Sequence, residues 1–325
     1  MSKPTIGILL SNLGTPSAAT VPAIRAFLAE FLADPRVVEF KPRWVWWLIL
    51  HGIILRFRPK KILPVYKSVW TESGSPLLAT CQQMTEKLQQ ALGENYAVAL
   101  GMRYGQPSIK TGLLELRKAG VEKVIILPLY PQYSATTSAS TIDEVMRLLR
   151  ICRALPELRF INDYHNHPEY IAAVVTSIQD YWQQHGRGKY LLFSYHGLPQ
   201  RYVNQGDPYF QQCQKTTEAI VTKLKLSKEE WGMSFQSRVG REPWLQPYTD
   251  KHLTQLAQDS MKQLDIICPG FSVDCIETLD EIAVENRDVF VEAGGEAVRY
   301  IPCLNEQDSH ISMLQQLVME QSQGW

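Results

Sequence analysis

The sequence predicts an α/β protein made of two similar domains, each a parallel sheet with helices on both faces, with a cleft between them. Three observations carry this. The chain has 325 residues, a length that suggests about two domains and allows a sizeable core. Strand-like and helix-like segments alternate from one end to the other. Four short segments of the first half recur in the same order in the second. The composition, 45% hydrophobic and 20% charged, is that of an ordinary globular protein. With 33 basic and 33 acidic residues the formal net charge is zero, and no long basic run is present, which argues against nucleic acid as a partner. Cys81, Cys152, Cys213, Cys268, Cys275 and Cys303 are scattered without a C-x-x-C pair, against a thiolate zinc site and a disulfide framework. Met1-Ser2-Lys3-Pro4-Thr5 leads directly into a strand without the pattern of a secretory leader, so a cytoplasmic protein is expected.

In chain order, residues 5–10 are an apolar run that reads as a buried parallel strand, followed by Ser11-Asn12-Leu13-Gly14-Thr15-Pro16 as a turn. Residues 21–32 carry helical periodicity through Ile24, Phe27, Leu28, Phe31 and Leu32. The stretch 44–57 is unusual, holding Trp44, Trp46, Trp47 and Leu48 and only His51 and Arg56 as titratable residues. It is shorter than the roughly 20 apolar residues a bilayer span needs. Lys41, Arg43, Arg58, Lys60 and Lys61 flank it, and tryptophan beside basic residues suits an interfacial anchor. It reads either as a core helix or as an exposed apolar lip, and three tryptophans within four residues favour the lip. Helices are expected over 77–92, 109–119 and 168–184, and strands over 96–101, 123–129 and 158–163.

The second half repeats the plan, with strands at 190–193, 231–237, 264–268 and 297–302 and helices at 215–225, 251–263, 277–293 and 309–321. The repeat also shows in letters. Leu9-Leu10-Ser11-Asn12-Leu13-Gly14-Thr15-Pro16 parallels Leu192-Phe193-Ser194-Tyr195-His196-Gly197-Leu198-Pro199, and Arg103-Tyr104-Gly105 parallels Arg238-Val239-Gly240. Ile125-Ile126-Leu127-Pro128 parallels Ile266-Ile267-Cys268-Pro269, and Thr141-Ile142-Asp143-Glu144-Val145 parallels Thr278-Leu279-Asp280-Glu281-Ile282. The expected first domain takes residues 1–155 plus 305–325, with the lip at about 40–62, and the second takes 156–304.

The halves differ where chemistry would lie. His196 stands where an apolar strand meets the turn at Gly197 and Pro199, and ligands of α/β sheets gather beyond the carboxyl ends of strands. Its counterpart in the first half is Leu13. A single strand-end histidine is more often structural than catalytic, so its neighbours decide. Glu277, Glu281 and Glu285 are spaced by four and would share one helix face, with Asp274 at the helix start where the dipole favours anions. They read as a solvated acidic face or as a cation path to the cleft, and imidazole with carboxylates suits a divalent first-row metal such as Fe2+.

These residues resemble the ferrochelatases over nearly the whole chain. The most specific pieces are Ser194-Tyr195-His196-Gly197-Leu198-Pro199, Phe235-Gln236-Ser237-Arg238-Val239-Gly240 with Pro243-Trp244-Leu245, and Ile276-Glu277-Thr278-Leu279; Leu129-Tyr130-Pro131-Gln132-Tyr133-Ser134 also fits. The resemblance implies a chelatase-type pair of Rossmann-like domains and an enzyme that inserts Fe2+ into protoporphyrin IX with release of two protons, the terminal step of haem synthesis. It implies His196 and Glu277 as the catalytic and metal pair, with Asp274, Glu281 and Glu285 as a relay. It implies Leu13, Arg103, Tyr104, Tyr130, Ser237 and Trp244 as porphyrin contacts, Leu13 on the side opposite His196. The lip of Trp44, Trp46, Trp47 and Leu48 would cover the cleft mouth and touch a membrane peripherally. Many members carry histidine at the position of Cys275, so that position is not expected to be needed. No cysteine follows Cys303, so no iron–sulfur cluster or other prosthetic group is expected. Coproporphyrin III as substrate, insertion of another metal such as cobalt into a related tetrapyrrole, and a non-catalytic porphyrin or haem carrier stay open. Histidine can accept a pyrrole proton near neutral pH or ligate the metal, and the sequence does not separate the two roles.

Overall fold

A computed structural model describes residues 5–325, and the expectation about a leader falls on residues 1–4, outside the described residues. The chain divides into two compact units. The first takes residues up to Tyr130 together with Ser134–Asp163 and Glu306–Trp325, and the second takes Pro131–Tyr133 and Tyr164–Asn305.

The first unit holds β1 (Ile6–Thr15), β2 (Tyr96–Gly105), β3 (Lys123–Pro128) and β4 (Glu157–Phe160), all parallel, in the order β2-β1-β3-β4. The second holds β5 (Leu191–His196), β6 (Trp231–Gln236), β7 (Gln263–Ile267) and β8 (Ala297–Ile301), also parallel, in the order β6-β5-β7-β8. The orders are the same once the second set is renumbered, so the repeat in letters is a repeat in topology. Strands in such sheets are covered on both faces, which is why they are written as unbroken aliphatic runs. Ile8, Leu9, Leu10, Ile125, Ile126 and Leu127 are fully buried. The helices Ile109–Ala119 and Ser140–Leu149 pack Ile109, Leu116, Val145 and Leu149 against Leu9, Val124 and Ile126. In the second unit Leu192, Leu264 and Ile266 meet Leu253, Ile282 and Phe290.

Three expectations change. β1 does not turn at Ser11 but runs on to Thr15, pairing Asn12 with Met102 and Gly14 with Tyr104. The polar residues that suggest a turn are satisfied inside the ladder: Asn12 donates to the Cys81 sulfur and accepts from the Leu13 amide. Gly14 has φ +102°, and a Cβ there would lie 1.8 Å from the Tyr104 carbonyl oxygen, so only glycine lets the strands approach. The boundary expected after residue 155 moves to Asp163, because β4 pairs with β3 and completes the first sheet. Finally, the helix expected over 277–293 is a π-helix over Glu277–Asn286 followed by an α-helix over Arg287–Glu292. Two of its carbonyls take side-chain donors: Asn286 Nδ2 donates to Glu281 O and Gln236 Nε2 to Glu277 O. The first unit has a shorter π-turn, Ala135–Ala139, just before its helix Ser140–Leu149.

The lip is a helix over Arg43–Ile49, a π-turn over Leu50–Ile54 and a helix over Leu55–Val69. Leu50 and Leu55 are buried, whereas Trp44 (67%), Trp47 (58%) and Phe57 (69%) are exposed together with Leu48 and Ile53. Trp46 is half-buried and its indole Nε1 donates to Leu32 O at 2.7 Å, so it anchors the segment from which the other two tryptophans project. Among the described residues no helix is long and apolar enough to cross a membrane.

Candidate active site

His196 is the last residue of β5, opposite Gln236 of β6, and is half-buried. Its Nδ1 lies 2.7 Å from the carbonyl oxygen of Gly197. A carbonyl only accepts, so Nδ1 carries the proton and, in the neutral ring, the Nε2 lone pair is free. Gly197 is itself held, donating its N–H to Gln236 O at 2.8 Å. A Cβ at this position would lie 2.7 Å from that oxygen and 3.1 Å from the Trp244 ring. Trp244 is placed by the chain pairing around it: Leu245 donates to Leu198 O at 2.9 Å, and Pro199 bridges Trp244. Among the described residues its buried indole Nε1 has no hydrogen-bond partner.

Glu277 opens the π-helix and is half-buried. One turn on, Glu281 accepts from both the backbone N–H and the hydroxyl of Ser237, each at 2.5 Å. Ser237 has φ +65°, a left-handed conformation uncommon for serine, which aims both donors at one carboxylate. Burial raises the Glu281 pKa above the ordinary carboxylate value, the Ser237 bonds and the charge of His196 pull it back, and Glu277 pushes it up. His196, Glu277 and Glu281 therefore share one electrostatic neighbourhood. Among the described residues no three His, Cys, Asp or Glu side chains converge as a metal-binding cluster.

The other acids sort differently. Asp274 is buried and saturated, accepting from Tyr300 OH at 2.5 Å, Asn305 Nδ2 at 2.7 Å and Thr278 Oγ1 at 2.9 Å. It anchors the start of the π-helix instead of offering an open carboxylate. Glu285 is exposed. Cys275 is buried, and burial, then the neighbouring Glu277 charge, push its thiol well above the ordinary value, so it stays protonated.

In the first unit Arg103 donates through Nε to Ser140 and through its other end to Asp34, while Tyr104 OH donates to Asp34 at 2.8 Å. Tyr104 is buried, so its hydroxyl belongs to this network. Leu13 and Tyr130 are half-buried.

The family model described as Ferrochelatase matches residues 5–322. The ferrochelatase of Photobacterium profundum is 50% identical over 325 residues, covering all of both chains. That of Nitrosococcus oceani is 51% identical over 323 residues, covering 98% of this chain and 88% of its own. The chain belongs to the ferrochelatase family. It is thus a metal-insertion enzyme of haem synthesis, and the cobalt-chelatase and carrier readings are not favoured. Among solved structures, SirB from Bacillus subtilis with Fe3+ aligns over 98% of this chain and 96% of its own with a TM-score of 0.61 at 12% identity, a likeness of fold.

Asp34, in the first unit, escapes a reading by charge and motif, and Gln236 enters such a reading only as a letter of the 235–240 motif, with no role of its own. Gln236 carries a signal in retrospect, since Ser234 and Gln236 alternate as polar residues on one face of a buried strand. Asp34 carries none, because apart from the nearby Arg36 amide its side-chain partners lie about 70 residues or more away.

Proposed function

We propose that the porphyrin metallated is protoporphyrin IX, that His196 and Glu277 handle the incoming Fe2+ and the departing pyrrole protons, and that the lip rests on a membrane from the cytoplasmic side. The observation that carries the site assignment is the bond from His196 Nδ1 to Gly197 O, which leaves Nε2 free at a strand end beside Glu277 and Glu281. A planar macrocycle holds its N–H protons in the ring plane, so metallation needs a bent ring and a nearby acceptor. His196 Nε2, with its lone pair free, is the acceptor for such a proton. Glu281, whose pKa burial raises, is suited to pass that proton on, and Glu277 presents the metal. Each step uses side chains of the second unit.

The choice of protoporphyrin IX rests on two features. Leu13, which the family resemblance makes a porphyrin contact, has no ligand atom, whereas family members that take the tetracarboxylate ring commonly carry tyrosine there. The exposed Trp44, Trp47, Leu48 and Phe57 favour an apolar ring over one with four carboxylates, each of which needs water or a cationic partner. Anaerobic Fe2+ insertion followed by absorbance, with protoporphyrin IX and coproporphyrin III in the same detergent, tests the reading. Wild type should favour protoporphyrin IX in kcat/KM. His196→Ala and Glu277→Gln should each lower kcat by about 100-fold or more with the fold intact. Wild-type kcat in either folded variant, or a preference for coproporphyrin III, overturns the corresponding part.

A further inference from the structure

We infer that Gln236 is a positioning residue that fixes Glu277 relative to His196, an inference that rests on the assignment of those two as the metal pair. Gln236 is 3% exposed and touches both sides of the pair. Its backbone lies opposite His196 in the β5–β6 ladder, and its carbonyl accepts the Gly197 N–H at 2.8 Å. Gly197 in turn presents the carbonyl that holds His196 Nδ1 at 2.7 Å. The side chain of Gln236 reaches the other way, and its Nε2 donates to the backbone carbonyl of Glu277 at 2.8 Å. One residue thus joins the strand end carrying the imidazole to the first residue of the π-helix carrying the carboxylate.

The amide cannot rotate freely. Only its nitrogen can donate to the Glu277 carbonyl, so Oε1 is the acceptor end. Oε1 accepts from Ser194 Oγ at 2.8 Å and from the Cys268 thiol at 3.6 Å. Ser194 has one hydroxyl proton, which it gives to Gln236, so it accepts from Thr249 Oγ1 at 3.0 Å. Thr249 has then given its proton and accepts from Ser234 Oγ at 2.9 Å. Ser234, Thr249 and Ser194 are buried and form a one-way chain of hydroxyls ending at the Gln236 amide. Flipping the amide would set its oxygen against the Glu277 carbonyl and its NH2 against the Cys268 thiol, and would require every hydroxyl to reverse. The chain therefore fixes the direction in which Gln236 holds the π-helix.

The bond goes to the main chain of Glu277, so losing it frees the start of the π-helix without deleting any group that touches substrate. Partners that orient metal-binding groups typically contribute 10–100-fold to metal affinity or activity. Gln236→Met keeps the volume and removes the donor. Gln236→Asn keeps a polar amide in the buried site but is one methylene too short to reach Glu277. The experiment measures anaerobic Fe2+ insertion by both variants, with fold checked by near-UV circular dichroism and thermal melting, beside His196→Ala and Glu277→Gln as references. The expected result is a 10–100-fold fall in kcat/KM for Fe2+ with the KM for porphyrin within twofold of wild type. A residue that only supported the fold would lower the melting temperature and leave the kinetics of folded protein unchanged. If Gln236→Met does not fold, Gln236→Asn decides. Folded Gln236 variants with wild-type kcat and Fe2+ KM, while His196→Ala and Glu277→Gln are inactive, overturn the inference. Active reference variants remove the metal pair and the inference with it.

Discussion

Replacing Gly197 with alanine tests how tightly the imidazole is held. The added Cβ would sit 2.7 Å from Gln236 O, whereas ordinary contact begins at 3.4 Å, so about 0.7 Å must be found. The Trp244 ring, 3.1 Å from the same Cβ, is also tighter than ordinary contact. The 197 peptide must therefore lengthen its bond to Gln236, now 2.8 Å, or tilt its carbonyl from His196 Nδ1, now 2.7 Å. A tilt of the same size would take that bond to the edge of hydrogen-bonding distance. Overpacking of this kind costs about 1–3 kcal/mol. For domains of this size that is roughly 2–4 °C in melting temperature per kcal/mol. The catalytic effect should be larger, because a misplacement near 1 Å can cost about 100-fold in rate. Gly197→Ala should therefore melt a few degrees lower and lose about 10–100-fold in kcat while binding porphyrin normally. Anaerobic insertion kinetics and differential scanning calorimetry measure both. A folded variant with kcat within twofold of wild type would refute the idea that the Gly197 carbonyl sets the imidazole.

Asp265 is fully buried and accepts from Trp182 Nε1 at 2.6 Å, Gly188 N at 3.0 Å and Arg299 Nε at 2.7 Å, so Asp265→Ala should lose about 3–5 kcal/mol in urea unfolding, with insertion kinetics of the folded protein unchanged. Burial pushes the Asp34 carboxyl up, but hydrogen bonds from Ser140, the Arg36 amide and Tyr104, with the Arg103 charge, hold its pKa below the ordinary value. A carboxyl lowered on folding stabilises above its unfolded pKa of about 3.9 and loses that contribution as pH falls through the folded value. Melts should thus show Asp34→Asn less stable than wild type at pH 7, the gap closing only below about pH 4; a gap independent of pH would contradict the charge argument. Trp44→Ser/Trp47→Ser/Leu48→Ser should sediment less with anionic liposomes at unchanged melting temperature, whereas unfolding would mean that these exposed residues belong to the core.

The strands and most helices are legible in the sequence because their aliphatic runs are long and both faces of each sheet are covered. Identical strand orders in the two units were foreshadowed by the ordered repeats, since residues that fill the same place in a sheet keep the same letters at its turns. What was not legible depends on partners far apart in the chain. Ser11 and Asn12 look like a turn because nothing local shows that β2 continues alongside them. The bond from Tyr104 OH to Asp34 joins residues 70 apart, which no local pattern shows. The acid spacing of Glu277, Glu281 and Glu285 is compatible with an α- or a π-helix, so periodicity alone could not choose. The long-range bond from Gln236 to the Glu277 carbonyl belongs to the second case.

The two halves differ in how their charged groups are answered. The repeat aligns Thr141 with Thr278, so Ser140 stands at the position of Glu277 and Glu144 at that of Glu281. In the first unit Ser140 is buried and donates to Asp34, whose charge Arg103 meets directly, and Glu144 is spent on Arg147 at the surface. That network closes on itself, with each carboxylate meeting a guanidinium. In the second unit the corresponding positions carry Glu277 and Glu281, and the group that pulls Glu281 back toward its ordinary pKa, besides Ser237, is the imidazole of His196. Arg238, the counterpart of Arg103, lies over the Tyr248 ring at 4.5 Å instead. Moving the guanidinium away and replacing serine by glutamate leaves negative charge beside a free imidazole nitrogen. Such charge is costly to keep in a partly buried place unless a cation or a proton arrives. A scaffold that answers its own charges in one half and leaves them open in the other supports the proposal that Fe2+ and the pyrrole protons meet at the same strand end.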